Sequence, residues 1–302
     1  MQNIHNFQIE LVQGCTRKCP FCGIGRIPHV LKSPNYMTIE TATSIATQIQ
    51  QQFKKNLRVD FAVHGEPLMH PKVNEILSVF RKALPQAQLS IITNGDLLSS
   101  SENVTSLFTS GLNNLMVDFY DNNVKRNAHR LEILQGTSIP VYNFYTDKYS
   151  IWTYKGFAQK AIIITPSLEE HSGESTTRTI HTAGGNLPDE YRKKYLPNLV
   201  LPVFTICAKP FREMSINWDG NVSICCEDWM CTESAGNIHD TSIIDIWTSD
   251  TFDKWRYLLY HKRRDLIPLC SKCNEKSFRT GFLKIEKQFP ELLPIQKNNF
   301  LL

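Results

Sequence analysis

The chain has 302 residues, 41% of them hydrophobic and 21% charged, with 33 Lys plus Arg against 29 Asp plus Glu. A net charge of +4, dispersed along the chain, is too weak to argue for nucleic acid or a membrane surface as partner. No apolar run approaches the roughly 20 residues of a membrane span, and Met1 to Asn6 has neither the charge nor the apolar core of a signal peptide. The expectation is a cytoplasmic protein with one large α/β domain and a smaller one. In a reducing compartment, nine cysteines, several close together, read as metal or redox sites rather than disulfides.

Phe7 to Val12 reads as the first strand. Cys15-Thr16-Arg17-Lys18-Cys19-Pro20-Phe21-Cys22 follows, with Gly23 behind it. Three cysteines this close let their thiolates converge on one small object, and soft thiolates select zinc or iron–sulfur clusters. A [4Fe–4S] cluster normally takes four cysteines, but the next one is Cys207. A cluster here would leave one iron open, whereas zinc would need a fourth ligand, for which His29 is the near candidate.

Thr38 is placed to cap a helix carrying an apolar stripe from Ile39 through Ala42, Ile45, Ala46 and Ile49 to Phe53. Leu57, Val59, Phe61 and Val63 alternate as a strand that ends in His64-Gly65-Glu66-Pro67. A helix from about Val73 precedes the strand Leu89 to Ile92, which stops at Thr93-Asn94-Gly95. A helix over Val104 to Phe108 ends at Gly111. The strand Leu115 to Phe119 leads to a helix from Val124 to Leu134, closed by Gly136. Val141 to Tyr145 and Ala161 to Ile164 are expected as the fifth and sixth strands. Such alternation implies a parallel sheet with helical crossovers, whose sites lie at the C-terminal strand ends. The cysteine loop, His64 to Pro67, Asn94 and Asp118 all fall at those ends.

Pro166 to Asn198 is polar and reads either as a long functional loop or as a linker to a second domain starting near Leu201. There Met214 to Trp218, a turn at Asp219-Gly220 and Val222 to Ile224 read as a hairpin, and Ile243 to Trp247 and Phe252 to Leu259 as helices. Cys207, Cys225, Cys270 and Cys273 form a second set with gaps of 17, 44 and 2 residues. Four thiolates would satisfy a cluster or a structural zinc ion.

The C-x3-C-Φ-x-C form with Phe21 before the third cysteine resembles the radical S-adenosylmethionine (SAM) enzymes, and His64-Gly65-Glu66-Pro67 resembles their Gly-Gly-Glu-Pro motif with His64 in place of the first glycine. The resemblance implies an α/β fold with a partial (β/α)6-type barrel. It implies a [4Fe–4S] cluster on Cys15, Cys19 and Cys22 whose open iron chelates SAM, with Gly65, Glu66 and Pro67 seating SAM. Phe21 would pack near the adenine, and Asn94 and Asp118 would reach the ribose or carboxylate of SAM or serve only local turn bonding. The second set, with Gly220, Gly236-Asn237-Ile238 and Ile246-Trp247, resembles a SPASM extension, and more closely its shortened twitch form. This implies an auxiliary [4Fe–4S] cluster and a division into residues 1–185 and 186–302. The expected function is reductive cleavage of SAM and dehydrogenation of a small sugar- or cyclitol-like molecule, with a flavodoxin- or ferredoxin-type electron donor. An epimerase, a peptide- or RNA-modifying enzyme, and a zinc- or cluster-stabilised binding or electron-transfer protein stay open. The spare Cys226 and Cys231 bear on that choice, as hydrogen-atom donors or as buried thiols. No catalytic side chain is singled out.

Overall fold

The computed structural model describes residues 4–19, 22–53, 57–61, 63–119, 123–144, 147, 158–165 and 182–275. Phe21, expected beside the adenine, and residues 166–181 of the polar stretch from Pro166 lie outside these residues.

The first strand is split. β1 (Asn6–Ile9) belongs to the main sheet, while β2 (Val12–Gln13) pairs with β3 (Asn35–Tyr36) in a small antiparallel ribbon beyond the short helix α1 (Pro28–Lys32). The repeating unit then follows as read. α2 (Ile39–Gln52) is capped by Thr38, whose hydroxyl accepts from Thr41 N, and buries Ala42, Ile45, Ala46 and Ile49. β4 (Arg58–Phe61), α3 (Val73–Ala83), β5 (Gln88–Thr93), α4 (Ser101–Thr109), β6 (Asn114–Asp118) and α5 (Val124–Gln135) complete three further turns. Gly111 ends α4 in a Schellman motif: its N–H donates to Phe108 O at 3.3 Å and Leu112 N–H to Leu107 O at 3.1 Å, with Gly111 at φ +119°.

β7 (Val141–Asn143) and β8 (Ala161–Thr165) extend the parallel sheet in reversed order, since β8 lies between β6 and β7. Beyond α6 (Asp189–Tyr195) and α7 (Lys209–Arg212) comes the hairpin of β9 (Glu213–Ile216) and β10 (Asn221–Ser223), with β11 (Ser234–Asn237) beside it. The hairpin does not form a separate sheet. β9 pairs in parallel with β1, from Asn6 opposite Glu213 to Ile9 opposite Ile216, so among the described residues one nine-stranded sheet runs β11-β10-β9-β1-β4-β5-β6-β8-β7. α8 (Ile243–Trp247), α9 (Asp250–Tyr260) and α10 (Pro268–Ser271) follow.

Side chains alternate across the parallel strands. Phe7, Ile9, Val59, Phe61, Leu89 and Ile91 join the main apolar core with the helices. The opposite face of the same strands is polar and buried. There Asn6 donates to Asp60 at 2.9 Å, Gln8 to Glu213 at 2.9 Å and Arg58 to Asp60 at 2.6 Å. A sheet that is apolar outside and polar inside suits a barrel whose mouth holds the chemistry.

Candidate functional site

The cysteine loop leaves the sheet from β2 and is held at its base by the Gly-Glu-Pro loop. Gly65 has φ +74°, and a Cβ there would overlap the carbonyl oxygens of Val12 and Gly14. Glycine is required for both reasons. The next residue, Glu66, donates its N–H to Gly14 O at 2.8 Å.

The Glu66 carboxylate is turned toward β5. It accepts from Thr93 Oγ1 at 2.6 Å, Asn94 N at 2.8 Å and Leu68 N at 3.1 Å, and is 1% exposed. Its environment is that of a brace for the end of β5 rather than a free acceptor. Burial raises its pKa to about 7, against the hydrogen bonds from Thr93, Asn94 and Leu68. Pro67 opens a short 3₁₀ turn and is buried.

Asn94 is likewise engaged. Its amide donates to Thr16 Oγ1 at 3.0 Å and lies 3.6 Å from Cys15 Sγ, and its carbonyl accepts Asp96 N–H at 2.9 Å. Asp118, 3% exposed, accepts from the Thr165 hydroxyl across β6 and β8. The Asn94–Asp96 contact is a local turn bond, whereas those to Thr16 and Thr165 cross between elements. Sequence reasoning missed a charge cluster behind the loop, where Arg17 and the buried Arg130 both pair with Asp96. Burial opposes ionisation of Asp96, but the two guanidiniums outweigh it and hold its carboxyl below the usual range.

Cys15, Cys19 and Cys22 are partly buried and close enough to influence one another's ionisation. Burial pushes Cys19 up to about 11 and Cys22 to about 12, so in the bare chain both are thiols. Soft metal must displace those protons. His29, the near candidate for a fourth zinc ligand, is exposed on α1. Among the described residues no three His, Cys, Asp or Glu are grouped to hold a single metal ion. Three neighbouring thiols can each take one iron of a [4Fe–4S] cluster.

The second set is a group of mutually interacting thiols, Cys270 and Cys273 buried and Cys207 and Cys225 half-buried. Cys207, Cys225, Cys270 and Cys273 all have raised pKa values, burial being the largest cause, with Cys273 at about 12. Two cations face them. Arg264, 1% exposed, is fixed by Thr205 O at 2.9 Å and Glu275 O at 2.8 Å, and favours the thiolates of Cys207 and Cys270. Lys209 favours those of Cys207, Cys225 and Cys273. Four thiols with buried cations suit a protein-ligated cluster, whose negative charge the cations offset. Thr182 ties the preceding segment to this set, its hydroxyl donating to Lys272 O and its N–H accepted by Asn274 Oδ1, both at 2.7 Å.

The two spare cysteines differ. Cys226 is 6% exposed, with Sγ 3.0 Å from Lys209 Nζ, which also pairs with Glu227 at 3.3 Å. Cys231 is partly buried at φ +49°, its thiol pushed up to about 12 by burial and Asp228. Past them Trp229 crosses to the first set. It shares an apolar cluster with Ile24, Ile27, Val30, Cys15 and Cys22, and its ring lies against Gly23.

Family models match both halves of this arrangement. The radical SAM superfamily model covers residues 9–132, and the model of the SPASM iron–sulfur cluster-binding domain covers residues 207–274. The chain belongs to the radical SAM superfamily and carries a SPASM domain after its core. Its cofactors are therefore a [4Fe–4S] cluster with SAM and, in the SPASM domain, auxiliary iron–sulfur.

Among individual proteins, the chain is 23% identical to the S-adenosyl-L-methionine-dependent 2-deoxy-scyllo-inosamine dehydrogenase of Niallia circulans, over 90% of this chain and 94% of that one. The fold resembles the crystal structure of BtrN in complex with AdoMet and 2-DOIA, with a TM-score of 0.67 and 21% identity over 92% of this chain and 95% of that chain. It also resembles anSMEcpe with bound AdoMet, with a TM-score of 0.52 and 13% identity over 89% and 85% of the two chains.

Proposed function

We propose that this enzyme oxidises a carbinol of a small cyclitol- or sugar-like molecule to a ketone. In this reading Cys15, Cys19 and Cys22 hold the SAM cluster, and Cys207, Cys225, Cys270 and Cys273 hold one auxiliary [4Fe–4S] cluster. When bound, these groups supply a 5′-deoxyadenosyl radical that takes a hydrogen atom and a second centre that accepts an electron. The chain's own residues position and enclose. Gly65 fits the loop against the carbonyls of Val12 and Gly14, Glu66 braces the end of β5, and Asn94 holds Thr16 beside Cys15. Three acceptor sites of the Glu66 carboxylate are engaged, which leaves one site on Oε2 and the backbone carbonyls of this loop for the SAM ammonium. Asp118, bonded to Thr165, shapes the mouth between β6 and β8.

The observation that carries the proposal is the segment from Cys225 to Trp229. One end belongs to the second thiol set and the other packs against Gly23, directly after Cys22. A substrate at this mouth lies between a hydrogen-atom acceptor and an electron acceptor, as dehydrogenation requires. Cys226 supports dehydrogenation over epimerisation, since its thiol is buried against Lys209. In this reading the close-set cysteines go with a reducing, cytoplasmic setting, and reduction of the SAM cluster is assigned to a low-potential donor of flavodoxin or ferredoxin type. No helix among the described residues is long and apolar enough to cross a membrane.

The test uses 2-deoxy-scyllo-inosamine, the compound named for the relative, carrying deuterium at the carbinol carbon. The expected result is deuterated 5′-deoxyadenosine together with a ketone. Ketone formed without deuterium transfer, or a stereochemically inverted alcohol, would refute dehydrogenation by this route.

A further inference from the structure

His64 stands where the family motif has glycine, yet its backbone does not need one. Cys231 and Lys262 are the non-glycine residues at positive φ among those described, so His64 carries no left-handed strain. Its side chain, 2% exposed, is held on three sides. Nδ1 lies 3.1 Å from Glu10 Oε1, at the end of β1, and Nε2 lies 2.9 Å from the carbonyl oxygen of Cys226. The imidazole also packs on Trp229, with ring centroids 4.6 Å apart and planes tilted by 33°. The other oxygen of Glu10 accepts Trp218 N–H at 3.2 Å, which brings the β9–β10 hairpin into the same group.

These contacts close a ring around the cysteine loop. Gly65 presses on Gly14 at the loop's start, His64 adjoins Gly65, Trp229 stacks on His64, and Trp229 lies against Gly23 at the loop's end. Neither glycine joint has slack. A methyl group at Gly65 would overlap backbone, and one at Gly23 would come within 2.8 Å of Asn186 and 3.2 Å of Trp229. The Asp228 carboxylate fixes the turn that presents Trp229, accepting from Thr232 N at 2.9 Å and Glu233 N at 2.8 Å.

We infer that His64 is a positioning residue that couples the SAM-seating loop to the SPASM segment 225–233, so that occupancy of one site is transmitted to the other. The inference rests on the proposed function, since it takes the Gly65 loop as the SAM seat. A shift of that loop moves the imidazole, and the imidazole carries the Cys226 carbonyl and the Trp229 ring with it.

The test is hydrogen exchange on reconstituted full-length protein, with and without SAM. In wild type, SAM slows exchange of peptides spanning 225–233 by about threefold or more, and in His64→Gly, compared as protein that has taken up iron and binds SAM, by less than roughly 1.5-fold. His64→Gln, which keeps one donor for the Cys226 carbonyl, restores part of the protection. If His64→Gly does not take up iron, Trp229→Ala decides by the same comparison, because it removes the stacked partner from the SPASM side. Equal protection in wild type and in the deciding variant overturns the inference, as does SAM binding to wild type without protection of 225–233. Failure of wild type to bind SAM overturns the functional reading, and the inference with it.

Discussion

Glu66 shows how one carboxylate can serve a site without facing its ligand. Three donors from Thr93, Asn94 and Leu68 reach it, yet burial dominates and raises its pKa from 4.5 to about 7. Folded, the chain keeps this proton up to about pH 7, whereas unfolded it releases it near 4.5. The folded state therefore binds more protons across that window, and stability falls as pH rises through it. Glu66→Gln removes this dependence and adds an offset that is the same at every pH. Between pH 4.5 and 7, metal-free wild type should lose roughly 3 kcal/mol relative to the variant, read from urea unfolding. Parallel pH profiles for the two proteins would place the proton elsewhere. Resemblance to the family's Gly-Gly-Glu-Pro motif located this glutamate, but its orientation depends on Thr93 and Asn94, which are 27 and 28 residues away.

At the scale of elements, the SPASM region is attached to the core partly through α2. Gln48 accepts Ile243 N–H at 2.8 Å and donates to Ile238 O at 3.1 Å, and Gln52 accepts Ile244 N–H at 3.0 Å. The first N–H groups of α8 thus find acceptors on another helix as well as in their own cap, Ser242. Gln48→Ala leaves an N–H and a carbonyl at this joint unpaired and should cost about 2 kcal/mol in denaturant unfolding. A cost below roughly 0.5 kcal/mol would mean that water replaces the glutamine.

The helices were legible because their buried faces repeat at helical spacing, as in Ala42, Ile45, Ala46 and Ile49. The split of the first strand at Glu10 was not, because it follows from the bonds of that buried carboxylate to His64 and Trp218. Nor was the place of β8 between β6 and β7, which depends on pairing, not on local pattern. In the site, the cysteine sets were visible as spacings. The cations serving the second set were not, since Arg264 meets Cys207, and Lys209 meets Cys225, only through the fold.

For the whole molecule, the pairing of β9 with β1 makes the two regions one sheet, while the thiols form two separate sets. Replacing Cys270 and Cys273 together by alanine should therefore remove about half the iron and leave some SAM cleavage. Loss of all iron and of the fold would show that the second set acts as a structural staple. The central claim is that the first set makes this chain a radical SAM enzyme, and it is tested most directly by SAM cleavage. Anaerobically reconstituted and chemically reduced wild type should convert SAM to 5′-deoxyadenosine, and Cys19→Ala should form none, because two thiolates do not retain the cluster. Unchanged cleavage in Cys19→Ala, or zinc in place of iron after anaerobic purification from iron-rich culture, would contradict it.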